Sequence, residues 1–377
     1  MTRFLDPMNR PSLSPPSLRH PAEWEPHSAC WLAFPRLPEE WPGYFEAACG
    51  EFAQLCRGIA DCDPVTGQPR GERLNILVFD QSVRQRAEQY LAGLPVYYHL
   101  CPYDDIWLRD TAPIFVQKAG KAPQRSDRPS SLSQPPSSLP SEVQDLAVRF
   151  CFNGWGSKYD FPHDVHLAQA LVQMTHLPSQ TVQLVAEGGA LESDGQGTCL
   201  TTRQCLLNPN RNPGITEAEI NSRLQAGLGY QKIIWLDQGL INDHTDGHID
   251  TLARFVCPGV VMVMEARTAQ DPNAAVLKQI ARQLSQAQDA QGRMLQLVTL
   301  PSPGPIRDGT GDILPASYLN FYIANTCVLV PTYESPFDAP AIAAIQACFP
   351  TRRVIGLSAR ALITGGGAFH CITQQQP

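Results

Sequence analysis

A strand, a tight turn and a second strand recur along this chain, with helical segments between the pairs, and no other feature constrains its fold as much. The paired strands are read in WLRDTAPIFV with LAVRFCFNG, in GALESDGQGTCLTT, in HIDTLARFVCPGVVMVME and in SYLNFYIANTCVLVPTY. Each alternates or runs apolar on both sides of a turn, the pattern of a hairpin. Helical periodicity falls between them in FEAACGEFAQLCRGIA, VRQRAEQYLAGL, HDVHLAQALVQM, TEAEINSRLQAGLG, DPNAAVLKQIARQLSQAQ and DAPAIAAIQACF. Several of these open on an Asp, Thr or Ser suited to capping a helix N-terminus. A unit of roughly 50 to 80 residues repeated about five times predicts an α/β fold of pseudo-symmetric units around a centre rather than one doubly wound sheet. The early strand SACWLAFP and the final AFHCITQQQ then share the closing unit, which gives the last residues a reason to be ordered. The alternative is a mixed α/β protein of two domains divided near the serine-proline insertion.

Two segments stand outside this rhythm. Residues 1–20 are rich in proline, and in 119–145 serine and proline supply 12 of 27 positions with no apolar period. Neither can bury enough surface to offset its ordering entropy, so both are expected to be disordered, with residues 21–377 forming one catalytic domain around the insertion. The net charge of −7 comes without any run of Lys or Arg, which argues against nucleic acid as a partner. No secretory signal or membrane-length apolar window is present, so a cytoplasmic location and no membrane partner are expected. The 12 cysteines are scattered, never in CxxC spacing, and read mostly as buried reduced thiols.

Four segments carry residues suited to chemistry. In HTDGHIDTLARF, His248 and Asp250 share a face if Gly247 opens a strand. A carboxylate beside imidazole raises its pKa above ~6.5, so the ring can serve as a general acid near neutrality. A zinc or iron site from His244, Asp246, His248 and Asp250 is the rival, weakened by the lack of a further ligand motif. HDVH, with His163 and His166, is a weaker metal candidate still and reads as a solvated helix start. In YDDIWLRDTAPIFV, Trp107, Arg109 and Asp110 end an apolar segment, and an ion pair of Arg109 with Asp110 or Asp104 is the ordinary structural explanation. In VAEGGALESDG, Glu187 precedes two glycines where backbone approaches a ligand closely, or where a strand simply bulges. In GGGAFHCITQQQP, Gly365, Gly366 and Gly367 precede Cys371, whose neighbours differ from the apolar runs around the other cysteines. A thiol of pKa ~8.5 needs a nearby cation to become a nucleophile, and His248 or a cationic substrate is the available source.

Together and in this order, these pieces resemble the agmatine deiminase family of guanidine-modifying enzymes. WLRDTAPIFV is similar to its WxRDTxP motif, EGGALESDGQGTCLTTRQCLLNPNRNP to its EGG strand and hairpin, HTDGHID to its GHxD motif and GGGAFHCITQQQP to its cysteine signature. The resemblance runs from about Trp24 to the end. It implies a five-bladed α/β propeller of ββαβ units, the pentein fold, with a site on the central axis. It implies Cys371 as nucleophile, His248 as general acid and base, and Asp110 and Asp250 as the carboxylates gripping a guanidinium. Trp107 and Glu187 become neighbours of the substrate, the glycines around Gly366 leave it room, and Asp243 or Asp246 is the candidate for its far amine. A planar guanidinium is a poor electrophile, and each carboxylate at ~4 Å could supply as much as about 4 kcal/mol before desolvation is subtracted. The implied reaction is hydrolysis of agmatine to N-carbamoylputrescine and ammonia, a step toward putrescine and polyamines, without metal or organic cofactor. A homo-oligomer is compatible with the sequence. Ala112 replaces the family's usual glycine before proline, and the insertion exceeds the pattern. Peptidylarginine deimination is the nearest competing activity; amidino transfer, a metal-dependent amidohydrolase and a non-catalytic guanidine binder are the others.

Overall fold

The computed structural model describes residues 18–118 and 144–377, and these form five separate sheets. Each sheet contains an antiparallel strand pair followed by a helix and a strand parallel to the second of the pair. Ile114–Lys118, Gln144–Cys151, helix Asp164–Thr175 and Ser179–Val185 make one such unit. Thr198–Thr202 pairs with Glu192–Ser193 and, after helix Glu217–Leu228, with Lys232–Leu236. Ala253–Cys257, Val260–Glu265 and Gln296–Pro301 enclose helix Ala274–Ser285, and Tyr322–Ile323, Cys327–Thr332 and Arg353–Ser358 enclose Asp338–Cys348. In the fifth, Gln374–Gln376 runs antiparallel to Ala29–Ala33, which continues through helix Phe45–Ala60 to the parallel strands Arg73–Val78 and Val96–Leu100. The recurring helix follows from geometry, because parallel neighbours need a crossover longer than a hairpin turn.

The helices form where the apolar period predicts. Phe45, Ala48, Cys49, Phe52, Leu55, Cys56 and Ile59 line the buried side of the first, spaced by three and four residues. Helix Glu217–Leu228 is closed at both ends: Thr216 and Glu219 form a reciprocal cap, and Gly229 takes a left-handed φ of 78°. One continuous cluster of buried apolar side chains extends from Cys30 to Ile372, with contributions from both sides of the insertion.

Strand boundaries depart from expectation at the segments of chemical interest. WLRDTAPIFV is not one strand: Leu108–Thr111 is a helical turn, and the strand begins at Ile114. Pro113 holds Ala112 extended, at φ −82° and ψ 163°, which stops the turn. Gly247 does not open a strand, because Asp246 and Gly247 are left-handed (φ 65° and 90°) and Ile249–Thr251 forms a 3-10 turn. Gly188–Ala190 is likewise a 3-10 turn, and the last strand holds only Gln374–Gln376, so Cys371 lies in the turn before it. Of the expected N-terminal arm, residues 1–17 lie outside the described residues, while Leu18–Arg19 pairs with Gln117–Lys118. Of the expected insertion, 119–143 lies outside them, and Gln144 and Asp145 already belong to a strand.

Candidate active site

Every leading strand is preceded by a short turn that carries polar side chains, and these turns meet. Asp110 precedes Ile114–Lys118, Glu187 precedes Glu192–Ser193, and His248 and Asp250 precede Ala253–Cys257. Asn320 precedes Tyr322–Ile323, and Cys371 precedes Gln374–Gln376. Backbone bonds tie the turns together: Arg109 N donates to Cys371 O at 3.1 Å, and His370 N donates to Asn320 Oδ1 at 3.1 Å. The expected pairing of Arg109 with Asp110 or Asp104 is replaced. Its guanidinium donates to Gln375 Oε1 at 2.7 Å and His370 O at 3.3 Å, and lies 3.6 Å from Glu23. Gln376 accepts from Trp31 Nε1 at 2.9 Å, so the terminal glutamines are structural ties.

Cys371 Sγ lies 3.6 Å from Asp250 Oδ2 and 3.0 Å from Asn320 Nδ2, which also donates to Asp250 Oδ2 at 3.2 Å. His248 is 1% exposed, with Nδ1 3.7 Å from Asp110 Oδ1 and Nε2 3.6 Å from Glu187 Oε2. Neither ring nitrogen makes a hydrogen bond of ordinary length, and Asp250 Oδ1 is also free of one among the described residues. Asp110 is fixed by Trp155 Nε1 on Oδ2 and Gly189 N on Oδ1, both at 2.9 Å. Glycine is required there, since a Cβ on residue 189 would fall 2.6 Å from His248 Nδ1 and 2.8 Å from Asp110 Oδ1.

Behind these groups lies a buried ionic layer. His370 places Nδ1 2.7 Å from Asp250 Oδ2 and Nε2 2.8 Å from Glu23 Oε2. Arg254 bridges Glu23 at 2.8 Å and Glu192 at 2.9 Å. The charges decide the protonation states. Burial disfavours the His248 imidazolium, but Asp110, Cys205 and Glu187 outweigh it and hold the ring's pKa well above the usual histidine value. For Asp250, burial is again the largest influence, yet His370, His248 and Arg254 together keep its carboxyl below the usual range. Burial, followed by Asp250, raises Asp110, with His248 opposing. Burial and the carboxylates of Asp250 and Asp110 push the Cys371 thiol well up. The sulfur is thus a thiol until positive charge enters between those acids.

A cavity of about 150 Å³ opens onto the sulfur, lined by Trp107, Asp110, Trp155, Tyr159, Gly366 and Cys371 among others. A separate smaller void of about 10 Å³, sharing Gly366, Gly367 and Cys371 with the first, reaches His248 and Asp250 behind the cysteine. Cys371, His248, Asp110, Asp250, Trp107 and Gly366 are therefore brought together. Two expected substrate neighbours are placed elsewhere. Glu187 is fully buried behind His248 and held by Arg211 Nε at 2.8 Å. Asp246 is neutralised by Arg211 at 2.5 Å and Lys158 at 2.6 Å. Asp243 faces only the smaller void, which holds no more than a water-sized group.

The metal alternative dissolves in its expected form: His244 is exposed, its Nδ1 3.1 Å from Tyr159 Oη, while Asp246 is paired as above. Among the described residues, one triad of potential ligands gathers, Glu187, Cys205 and His248, and its carboxylate already carries Arg211. Sequence reasoning missed Trp155, Asn320 and His370. The signals were present: a GWG in FNGWGSK demanding left-handed backbone, a lone amide in an apolar hairpin, and an imidazole beside the cysteine.

This convergence of a buried thiol, an imidazole and carboxylates, delivered by turns of mixed α/β sheets, has the side chains that a cysteine-dependent hydrolase of the guanidine-modifying class requires. The profile of the Porphyromonas-type peptidyl-arginine deiminase family matches residues 19–377, and the chain belongs to that family. An agmatine deiminase of Pseudomonas aeruginosa (strain LESB58) is 33% identical over 395 residues, covering 98% of this chain and 99% of the relative. The agmatine deiminase of Stutzerimonas stutzeri (strain A1501) is also 33% identical, over 95% of each chain. The solved agmatine deiminase of Enterococcus faecalis superposes with a TM-score of 0.82 at 28% identity, covering 96% of each chain.

Proposed function

We propose that this chain hydrolyses agmatine to N-carbamoylputrescine and ammonia through a covalent intermediate on Cys371. The observation that carries it is the convergence of Cys371 Sγ, 3.6 Å from Asp250, with His248, 3.7 Å from Asp110, where Cys371 and Asp110 line the larger cavity and His248 and Asp250 the small void behind the sulfur. A guanidinium seated between Asp110 and Asp250 supplies the missing positive charge. It offsets the two acids that hold the thiol protonated, so substrate arrival itself favours the thiolate.

With the guanidinium seated, the Cys371 thiol loses its proton to solvent through the open cavity, and the thiolate attacks the guanidinium carbon. His248, held as imidazolium by its carboxylate neighbours, protonates one amino group, and the C–N bond breaks to release ammonia. The S-alkylthiouronium that remains is attacked by water, whose proton passes to the now neutral His248. Collapse breaks the C–S bond, the remaining hydroxyl proton passes to the departing sulfur, and the ureido product and the resting thiol are released. Asn320 and His370 act through Asp250 and Sγ, as Trp155 acts through Asp110; they are positioning residues. No step calls on a metal or organic cofactor.

We also infer that the five sheets are the blades of a pseudo-symmetric propeller with this site on its axis. The support is that each leading strand is preceded by a turn contributing one part of the site. No helix among the described residues is long and apolar enough to cross a membrane.

The family description favours a second reading, an arginine side chain within a peptide. Steady-state ammonia release from agmatine, free arginine and an arginine peptide decides between them. Agmatine is expected to lead by at least about 100-fold in kcat/KM. Turnover should vanish in Cys371→Ala and survive a chelator. Activity retained by Cys371→Ala would overturn the covalent route, and a preference for the peptide would overturn the substrate.

A further inference from the structure

The guanidine chemistry leaves two carboxylates in the same cavity without a task. Glu40 ends the 3-10 turn Pro38–Glu40 at the half-buried rim, and Asp105 lies 5% exposed on the wall. With Asp110 they make three acidic side chains in a lining that contains no Lys or Arg. Asp105 is held rigidly: Oδ1 accepts from Ile106 N and Oδ2 from Trp107 Nε1, each at 2.7 Å, which leaves lone pairs on both oxygens. Burial and then the charge of Glu40, which lines the same cavity, push the Asp105 carboxyl up to about 7. Arg36, whose charge offsets part of that burden on both acids, and Lys158 each have partners of their own. Arg36 donates to Tyr103 O at 2.9 Å and lies 4.3 Å over the Phe79 ring, while Lys158 is bound to Asp246.

The acids are joined to the sulfur by an apolar sleeve. Trp155, Tyr159 and Phe161 form one side, with Tyr159 and Phe161 stacked at 5.4 Å between centroids. Gly365, Gly366 and Gly367 form another, and a Cβ on Gly367 would fall 2.7 Å from Trp107 and 3.1 Å from Cys371 Sγ. Aromatic faces and glycine backbone of this kind suit the methylene groups of a substrate.

Resting on the deiminase reading above, we propose that Glu40 and Asp105 bind the ammonium at the far end of the substrate, and so select an ω-guanidino amine over arginine. Two like charges side by side are costly unless a cation enters between them. An α-carboxylate brought to the same place meets two acids and no Lys or Arg. The same geometry replaces Asp243 and Asp246 as partners of the far amine.

The test compares agmatine with n-butylguanidine, which has the same carbon chain and no amine. In Glu40→Gln, the agmatine-to-butylguanidine ratio of kcat/KM is expected to fall about 10- to 100-fold, through the KM of agmatine. Asp105→Asn should do the same, and Glu40→Gln, at a half-exposed position, guards against a folding defect. An unchanged ratio in Glu40→Gln would overturn the assignment while leaving the deiminase reading intact. Wild-type protein that turns over neither compound would overturn both.

Discussion

Gly189→Ala gives the sharpest test of how the charged groups are arranged. The added methyl would lie 2.6 Å from His248 Nδ1, 2.8 Å from Asp110 Oδ1 and 3.2 Å from Asp250 Oδ2. Ordinary contact begins near 3.4 Å, so the imidazole must retreat by about 0.8 Å or the turn must shift, taking with it the 2.9 Å bond from Gly189 N to Asp110. Residue 189 does not need a left-handed backbone, so alanine's cost comes from crowding, of order 1–3 kcal/mol in stability. Catalysis suffers more, because a displacement of about 1 Å at reacting groups can cost on the order of 100-fold. Steady-state ammonia release should show kcat/KM for agmatine down by about 100-fold or more, with a cooperative melt only a few degrees lower. Activity within about threefold of wild type would refute the view that Asp110, His248 and Asp250 converge on one point beneath this glycine.

Other outcomes follow from the same geometry. Trp155→Phe keeps the ring and removes the 2.9 Å donor to Asp110, so kcat/KM should drop about 10- to 100-fold with little change in melting; an unchanged rate would mean that the indole does not hold that acid. An ammonium favours ionised Asp105, whose carboxyl is raised to about 7. The advantage of agmatine over butylguanidine should therefore grow with pH from 6 to 8, by up to about tenfold, and a flat ratio would exclude Asp105 as the group responsible.

The helices and most hairpins were legible because burial imposes a period that the sequence must carry, as in Phe45–Ala60. The turns were not. Trp107 to Ala112 and His248 to Thr251 are apolar enough to pass for strands, and only backbone angles at Pro113, Asp246 and Gly247 divert them. Cys371, His248, Asp110 and Asp250 could be picked out together because motif spacing ties them to three turns, His248 and Asp250 sharing one. Glu187 and Asp246 were misplaced for one reason: whether an acid faces substrate or an internal base depends on Arg211, a residue distant from both in sequence. Trp155 and Glu40 were missed because an aromatic ring and a rim carboxylate look like packing and solvation until a cavity gives them a direction.

One part of the site stands at the head of each of the five sheets. The reaction centre is a vertex shared by seams rather than the property of any layer. Small slips along a single seam cost little folding free energy, yet each alters a spacing on which proton and carbon chemistry depend. On gentle heating, turnover is therefore expected to fail before helices and strands melt, a gap that activity and circular dichroism followed over the same temperatures would show.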